Sequence, residues 1–251
     1  MKLSCLPVSL FKELDSGTIS IQQWAAYGKA LGLDAIDLMM VNLKAHTPKY
    51  LRTIRESLDQ EGIGIAMITT YPDFTHPDAL QREREQDYLR NDIAVASQLG
   101  ARFLRVTAGQ AHPHTGIEEG IAWALDGLRQ AAPIARKYGV TLVYEDHSKP
   151  GGWDYMDFSN PPEIFLRIAA GIRDTGIGIN FDTANILVAG EDRTVEVLER
   201  VLDQVETIHV AETAVKGQMA PVLLGTGIVP IKDVFTCLKR HGWNKWLCIE
   251  E

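Results

Sequence analysis

SQLGARFL (97–104), RKYGVTLV (136–143) and KRHGWNKWL (239–247) decide the fold of this 251-residue chain. Each carries a polar or basic stretch of helical character to a Gly and then passes at once into an apolar run. A helix stop followed directly by a buried strand is the αβ junction of a wound α/β protein. Eight apolar runs of strand length can be read: KLSCLPV (2–8), AIDLMM (35–40), IGIAMITT (63–70), ARFLRVT (101–107), VTLVYED (140–146), GIGINFD (176–182), ETIHVAE (206–212) and KWLCIEE (245–251). Most are nearly continuous rather than alternating, as expected of parallel strands covered on both faces. Helical periods fit between them. In ISIQQWAAYGKALGLD (19–34), Ile21, Trp24, Ala25, Gly28 and Leu31 fall on one face, and Gly32 supplies the stop. Eight βα units in about 250 residues predict a single α/β domain over 1–251, a (β/α)8 TIM barrel. An open doubly wound sheet would need a Gly-rich turn after its first strand. PVSLFKELDSGT (7–18) has none, and the GTG at 225–227 precedes a helix instead of following a strand. The eighth run reaches the last residue, so the eighth helix is absent from this chain. Further residues or a second copy in a homo-oligomer are expected to cover that edge.

Composition bounds the chemistry. Hydrophobic residues make up 45% and charged residues 23%, enough apolar material for a large core. The formal net charge of −8 gives no basic field for a phosphate backbone, so nucleic acid is excluded and a small-molecule partner is expected. No stretch approaches the roughly 20 apolar residues of a membrane span. The reading is a cytoplasmic protein without a membrane partner. Cys5, Cys237 and Cys248, odd in number and set in apolar runs, read as reduced thiols.

In a barrel of this kind the reacting groups sit at the carboxyl ends of the strands. Four consecutive runs end there in metal-type ligands: Glu145 in LVYED, Asp182 in GINFD, His209 in TIHVAE and Glu250 in WLCIEE. Each lies about one βα unit after the last, so adjacent strands present adjacent ligands. Three carboxylates and one imidazole form a mostly hard set that suits one divalent ion, Mn, Mg or Co. A single carboxylate at a strand end is usually a cap or loop residue, but four converging on one mouth need a counter-ion.

These phrases, with LGLDAIDL (31–38), YPDFTHPDALQRER (71–84), GINFDTAN (178–185) and GTGIVPIKDVFTCLKRHGWNKWLCIEE (225–251), resemble the xylose-isomerase-like TIM barrels of the sugar phosphate isomerase/epimerase type along nearly the whole chain. The resemblance implies that Glu145, Asp182, His209 and Glu250 hold one divalent ion and that Glu145 and Glu250 are also the catalytic acid/base pair. Glu251 is the fallback for Glu250, because a slip of one residue turns a strand side chain to the other face. It implies a metal-dependent isomerase or epimerase of a small sugar or sugar derivative, moving a proton through an enediolate. A lyase or dehydratase acting on a keto-sugar or keto-inositol would use the same residues, and a non-catalytic sugar-binding barrel is a third possibility. Where many relatives have a His three residues after the sixth-strand Asp, this chain has Asn185, which can hydrogen-bond a hydroxyl but cannot become cationic. The histidines of the related endonuclease IV are mostly missing.

The remaining candidates are weighed singly. His147 follows Glu145 by two and lies on its side of an extended strand, as a substrate contact or a plain loop His. Arg105, a charge inside FLRVTAG, is a substrate contact or an ion-pair partner of a barrel carboxylate. Lys216 stands where relatives often carry a basic substrate contact, against the alternative of a solvated loop Lys. Trp153 and Phe74 are candidate walls of the sugar site, or aromatic residues that pack locally. His112 and His114 resemble a metal pair, but with Pro113 between them and no carboxylate nearby they read as loop residues. His46, His76 and His241 read as surface. The Gly-, Pro- and Asp-rich loops 147–162 and 213–230 are candidate lids.

Overall fold

The computed structural model describes residues 1–250. All eight expected runs form strands: β1 (Lys2–Leu6), β2 (Ala35–Met39), β3 (Gly64–Thr69), β4 (Phe103–Val106), β5 (Thr141–Glu145), β6 (Gly178–Asp182), β7 (Val205–Val210) and β8 (Trp246–Glu250). Between them run α1 (Phe11–Ser16), α2 (Ile21–Ala30), α3 (Pro48–Glu61), α4 (Ala79–Leu99), α5 (Ile117–Tyr138), α6 (Pro162–Gly171), α7 (Asn185–Val188), α8 (Thr194–Val201) and α9 (Ile231–Arg240). Every strand pair is parallel, in the order β1-β8-β7-β6-β5-β4-β3-β2. The circle is nearly closed by Asp34, whose N–H donates to Leu3 O and whose carboxylate accepts from Leu3 N, both at 2.8 Å. The fold is therefore the (β/α)8 barrel. Strand one stops at Leu6 rather than Val8, because Pro7 has no N–H for a ladder and the chain turns there into a short 3-10 segment.

Helix boundaries follow local chemistry. Ser20 and Gln23 close a capping box at the start of α2. Thr47 caps α3 with Pro48 in its first turn, and Asp78 caps α4. The stops read at Gly100 and Gly139 are left-handed, each at φ +71°, which ends α4 and α5 and aims the chain into β4 and β5.

Alternation along the strands sorts side chains between two cores. Outward residues such as Leu38, Leu104, Phe181 and Ile208 pack under helix residues including Leu58, Ile93, Leu128 and Val234. Inward residues Met67, Phe103 and Val143, with Trp246 against them, plug the barrel interior. Two residues further along β4, β5 and β8, the inward positions become Arg105, Glu145 and Cys248. That change from apolar plug to polar residues marks the mouth of the barrel. Among the described residues no helix follows β8, and Leu3, Cys5, Leu247 and Ile249 on β1 and β8 are only half-buried. No helix of the described residues is long and apolar enough to cross a membrane.

Candidate metal centre and active site

Glu145, Asp182, His209 and Glu250 each bring one donor atom to within 4.8 Å of the others. Donors around one ion stand at most twice the metal–ligand distance apart, roughly 4–5 Å, so the span is that of a single coordination shell. His209 Nδ1 lies 2.7 Å from Glu145 Oε1 and 2.8 Å from Glu250 Oε2. No hydrogen bond of good geometry reaches either nitrogen of this buried ring among the described residues. Buried polar atoms are rarely left so, and one of the two nitrogens belongs to the group of four donor atoms. The chemistry of the set and its unmet valences fit a divalent ion.

Local structure explains each placement. Asp182 ends β6, and its Oδ1 accepts from the N–H of Ala184 at 2.7 Å and of Asn185 at 2.9 Å, which turns the chain into α7. Glu145 Oε1 accepts from Asn180 Nδ2 at 2.5 Å, and Thr207 Oγ1 donates to Asn180 Oδ1 at 2.6 Å. This chain of three runs across β5, β6 and β7. Arg105, 1% exposed in its side chain, sets Nε 3.1 Å from Glu145 Oε2, so it forms a buried ion pair with this carboxylate.

The cluster is electrostatically uneven. Burial alone would raise Glu145, but Arg105 and His209 override it and hold the carboxyl at about 2. Burial, reinforced by repulsion from Glu250 and Glu145, pushes Asp182 well above the carboxylate range. Burial would depress His209, and the neighbouring Glu250, Cys248 and Glu145 raise it far above its ordinary value. Three acids and an imidazole thus share protons that a cation can replace.

The other expected residues divide. His147 Nε2 is 3.7 Å from Glu145 Oε2, and burial lowers this ring to about 4. Tyr71 joins the group: its ring meets His147 edge-on at 5.7 Å and Trp153 at 6.3 Å, with the Arg105 guanidinium 4.2 Å above it. Asn185 is buried beside Asp182 with Oδ1 unpartnered among the described residues. Lys216 is brought elsewhere, to an ion pair with Asp192 on the loop after α7, and is 43% exposed. Phe74 does not wall the mouth. It is 1% exposed and presses on α5, where a Cβ on Gly127 would stand 2.6 Å from its ring. The expectation that no carboxylate lies near His112 is corrected, since the chain brings Asp73 Oδ2 to 2.8 Å from its Nε2. His46, His114 and His241 are exposed, whereas His76 is half-buried. Glu251 lies outside the described residues.

Sequence reasoning missed Asp37, Asn180, Tyr71 and the place of Cys248. Asp37 is fully buried, accepts from Ser4 Oγ and Met67 N at 2.9 Å each, and gathers with Cys248 and His209 beside the donor cluster. A charge in the middle of AIDLMM was its signal. Cys5, Cys237 and Cys248 form no disulfide among the described residues.

Asp157 supplies a pH test of the loop after β5. Its Oδ1 accepts from the N–H and hydroxyl of Ser159, while Oδ2 is buried without a partner among the described residues. Burial lifts the carboxyl to about 8. A carboxyl raised on folding favours the native state while the unfolded form is also protonated, and that contribution is lost as pH rises to the folded value. Between pH 5 and pH 7 only the unfolded chain has given up this proton, so the native protein should lose stability relative to Asp157→Asn, by about 3 kcal/mol. Urea midpoints of the two proteins at both pH values check it, and parallel pH dependence would refute it.

The sequence matches the profile of xylose isomerase-like TIM barrels over residues 25–251. The putative hydroxypyruvate isomerase of Streptomyces coelicolor is 26% identical over 240 residues, covering 90% of this chain and 83% of the relative. D-psicose 3-epimerase from Clostridium cellulolyticum H10, solved with D-tagatose, superposes with a TM-score of 0.81 at 13% identity, over 100% of this chain and 84% of that one. The IOLI protein with a bound zinc atom does so at 0.80 and 18% identity, over 99% and 88%. The two structural likenesses show the fold. Isomerases, epimerases and dehydratases are all among the proteins similar to this chain.

Proposed function

The chain belongs to the xylose isomerase-like TIM barrel family, and from that premise we propose that it is a divalent-metal-dependent isomerase or epimerase of a small ketose or related keto-sugar. The observation that carries the reading is the convergence of donor atoms from Glu145, Asp182, His209 and Glu250 on one point at the barrel mouth. The bound zinc in the IOLI structure and the D-tagatose in the epimerase structure support the same class of ion and substrate.

When bound, a divalent ion would polarise the substrate carbonyl and steady the negative charge that builds on its oxygen. Asp182 and His209 serve it as ligands only. Glu145 and Glu250 also move the proton: one takes it from the carbon beside the carbonyl, and the other delivers one. Delivery to the opposite face of that carbon gives an epimer, and delivery to the former carbonyl carbon, with the hydroxyl proton passing to the former carbonyl oxygen, gives the aldose or ketose isomer. Arg105 serves the site through Glu145, holding the carboxyl ionised, the form able to accept a proton. His147, Asn185 and Trp153 contact the substrate hydroxyls and carbons. No role falls to Lys216, whose ammonium is held by Asp192.

The test is a panel of D-fructose, D-tagatose, hydroxypyruvate and an inosose, each incubated with manganese-loaded protein in deuterated water and followed by NMR. Deuterium should enter at the carbon next to the carbonyl of at least one neutral keto-sugar, with an epimer or isomer appearing, and a chelator should stop both. An unsaturated product would assign the dehydratase reaction instead. Absence of exchange across the panel would refute the enzyme.

A further inference from the structure

We propose that Asp73 and Gln110, which lie outside the donor cluster, are positioning residues. They fix the aromatic wall beside Glu145, and that wall sorts substrates by what they carry beyond the carbonyl and its neighbouring hydroxyl. This inference rests on the proposed site.

Asp73 follows β3, two residues after Tyr71, and is buried. Its carboxylate accepts from Gln110 N at 2.9 Å, Gln110 Nε2 at 3.0 Å and Thr75 Oγ1 at 3.3 Å, with His112 Nε2 at 2.8 Å. Gln110 belongs to the loop after β4 and reaches a third loop: its Oε1 accepts from the N–H of Asp154 at 2.9 Å and of Tyr155 at 3.2 Å. The buried carboxylate therefore ties the loop after β3 to the loop after β4 with charge-assisted bonds, and the Gln110 side chain carries the tie on to the loop after β5. The backbones confirm the joint. Gln110 pairs antiparallel with Asp157, Ala111 N donates to Met156 O at 2.8 Å, and Phe158 N donates to Gly109 O at 2.7 Å. Gly109 sits at φ +126°, where any Cβ would stand 2.4 Å from Thr75 Oγ1, so the loops approach as closely as a Gly permits.

Two routes lead from this joint to the site. Tyr71 precedes Asp73 on the same chain, and Trp153 immediately precedes the amide that Gln110 Oε1 holds. The two rings meet edge-on, and Tyr71 touches His147 and lies under Arg105, the partner of Glu145. A half-buried pair of rings beside the acid/base carboxylate offers an apolar surface to the carbons of a sugar chain. The segment 147–162 is then a fixed wall rather than the lid expected from its Gly and Pro content.

The test uses the manganese-loaded full chain with Gln110→Ala and Asp73→Asn. Hydrogen–deuterium exchange of the peptide spanning 150–158 should be slow in the native protein and about tenfold faster in either variant. Manganese affinity by calorimetry should stay within about twofold, since no ligand is touched. For D-tagatose, KM should rise at least about fivefold with kcat within about twofold, while dihydroxyacetone, too short to reach the wall, is handled unchanged. Exchange needs no substrate, so it decides the inference even if neither ketose is turned over, a result that would count against the proposed reaction alone. Should Asp73→Asn fail to fold, Gln110→Ala, which removes no charge, carries the test. Native-like protection in the variants, a peptide already unprotected in the native protein, or loss of manganese affinity with the loop would each overturn the proposal.

Discussion

Glu250→Gln and Glu145→Gln should each abolish net turnover of the keto-sugar, by about a thousandfold or more, while leaving the barrel folded. Each change keeps the shape of the side chain and removes its ability to take or give the proton. The two carboxylates enter from β5 and β8, with β6 and β7 between them, so they are separate groups and neither replaces the other. The variants should differ in partial reactions. The one that retains the base facing the reactive C–H should still wash deuterium from solvent into unreacted substrate, and the other should not. Both residues are also proposed ligands, so the assay is run at saturating manganese. Full activity in either variant under that condition would remove the two-carboxylate mechanism and leave a binding role only. Glu145 carries a second burden. Its amide would leave Arg105 buried without its carboxylate, so Glu145→Gln should also be the less stable of the two, as thermal melting would read.

Native protein should bind about one divalent ion, and His209→Ala or Asp182→Asn should weaken that binding by about a hundredfold or more. Loss of an outer partner of a ligand already costs 10- to 100-fold, and loss of the ligand itself should cost at least as much. His209 stands between Glu145 and Glu250, within 2.8 Å of both, so its removal also sets two carboxylates against each other. Calorimetric titration with manganese measures the affinity. Ion binding to the native state should raise the melting temperature of native protein, with a gain of about 2.7 kcal/mol at a hundred times Kd, and the variants should lose that rise. Failure of native protein to bind any divalent ion would remove the centre altogether.

The eight strands of this barrel, and the four side chains whose donor atoms meet at its mouth, were legible in the chain itself. A parallel strand covered on both faces must be a nearly continuous apolar run, so LVYED, GINFD and WLCIEE could be seen as strands. Their polar ends had to lie at one mouth because a (β/α)8 barrel aligns all its strands the same way. What a strand's period of two tells is which face a side chain takes, and never which residue of another strand it will meet. Tertiary structure alone decided that Arg105 pairs with Glu145, that Asn180 and Thr207 support the same carboxylate, and that Asp37 and Cys248 gather beside His209. It also set Phe74 against α5 and gave His112 the carboxylate of Asp73, contacts between loops far apart in sequence. Those partners are fixed by barrel closure and by the packing of loops over its mouth, and neither leaves a local pattern of residues.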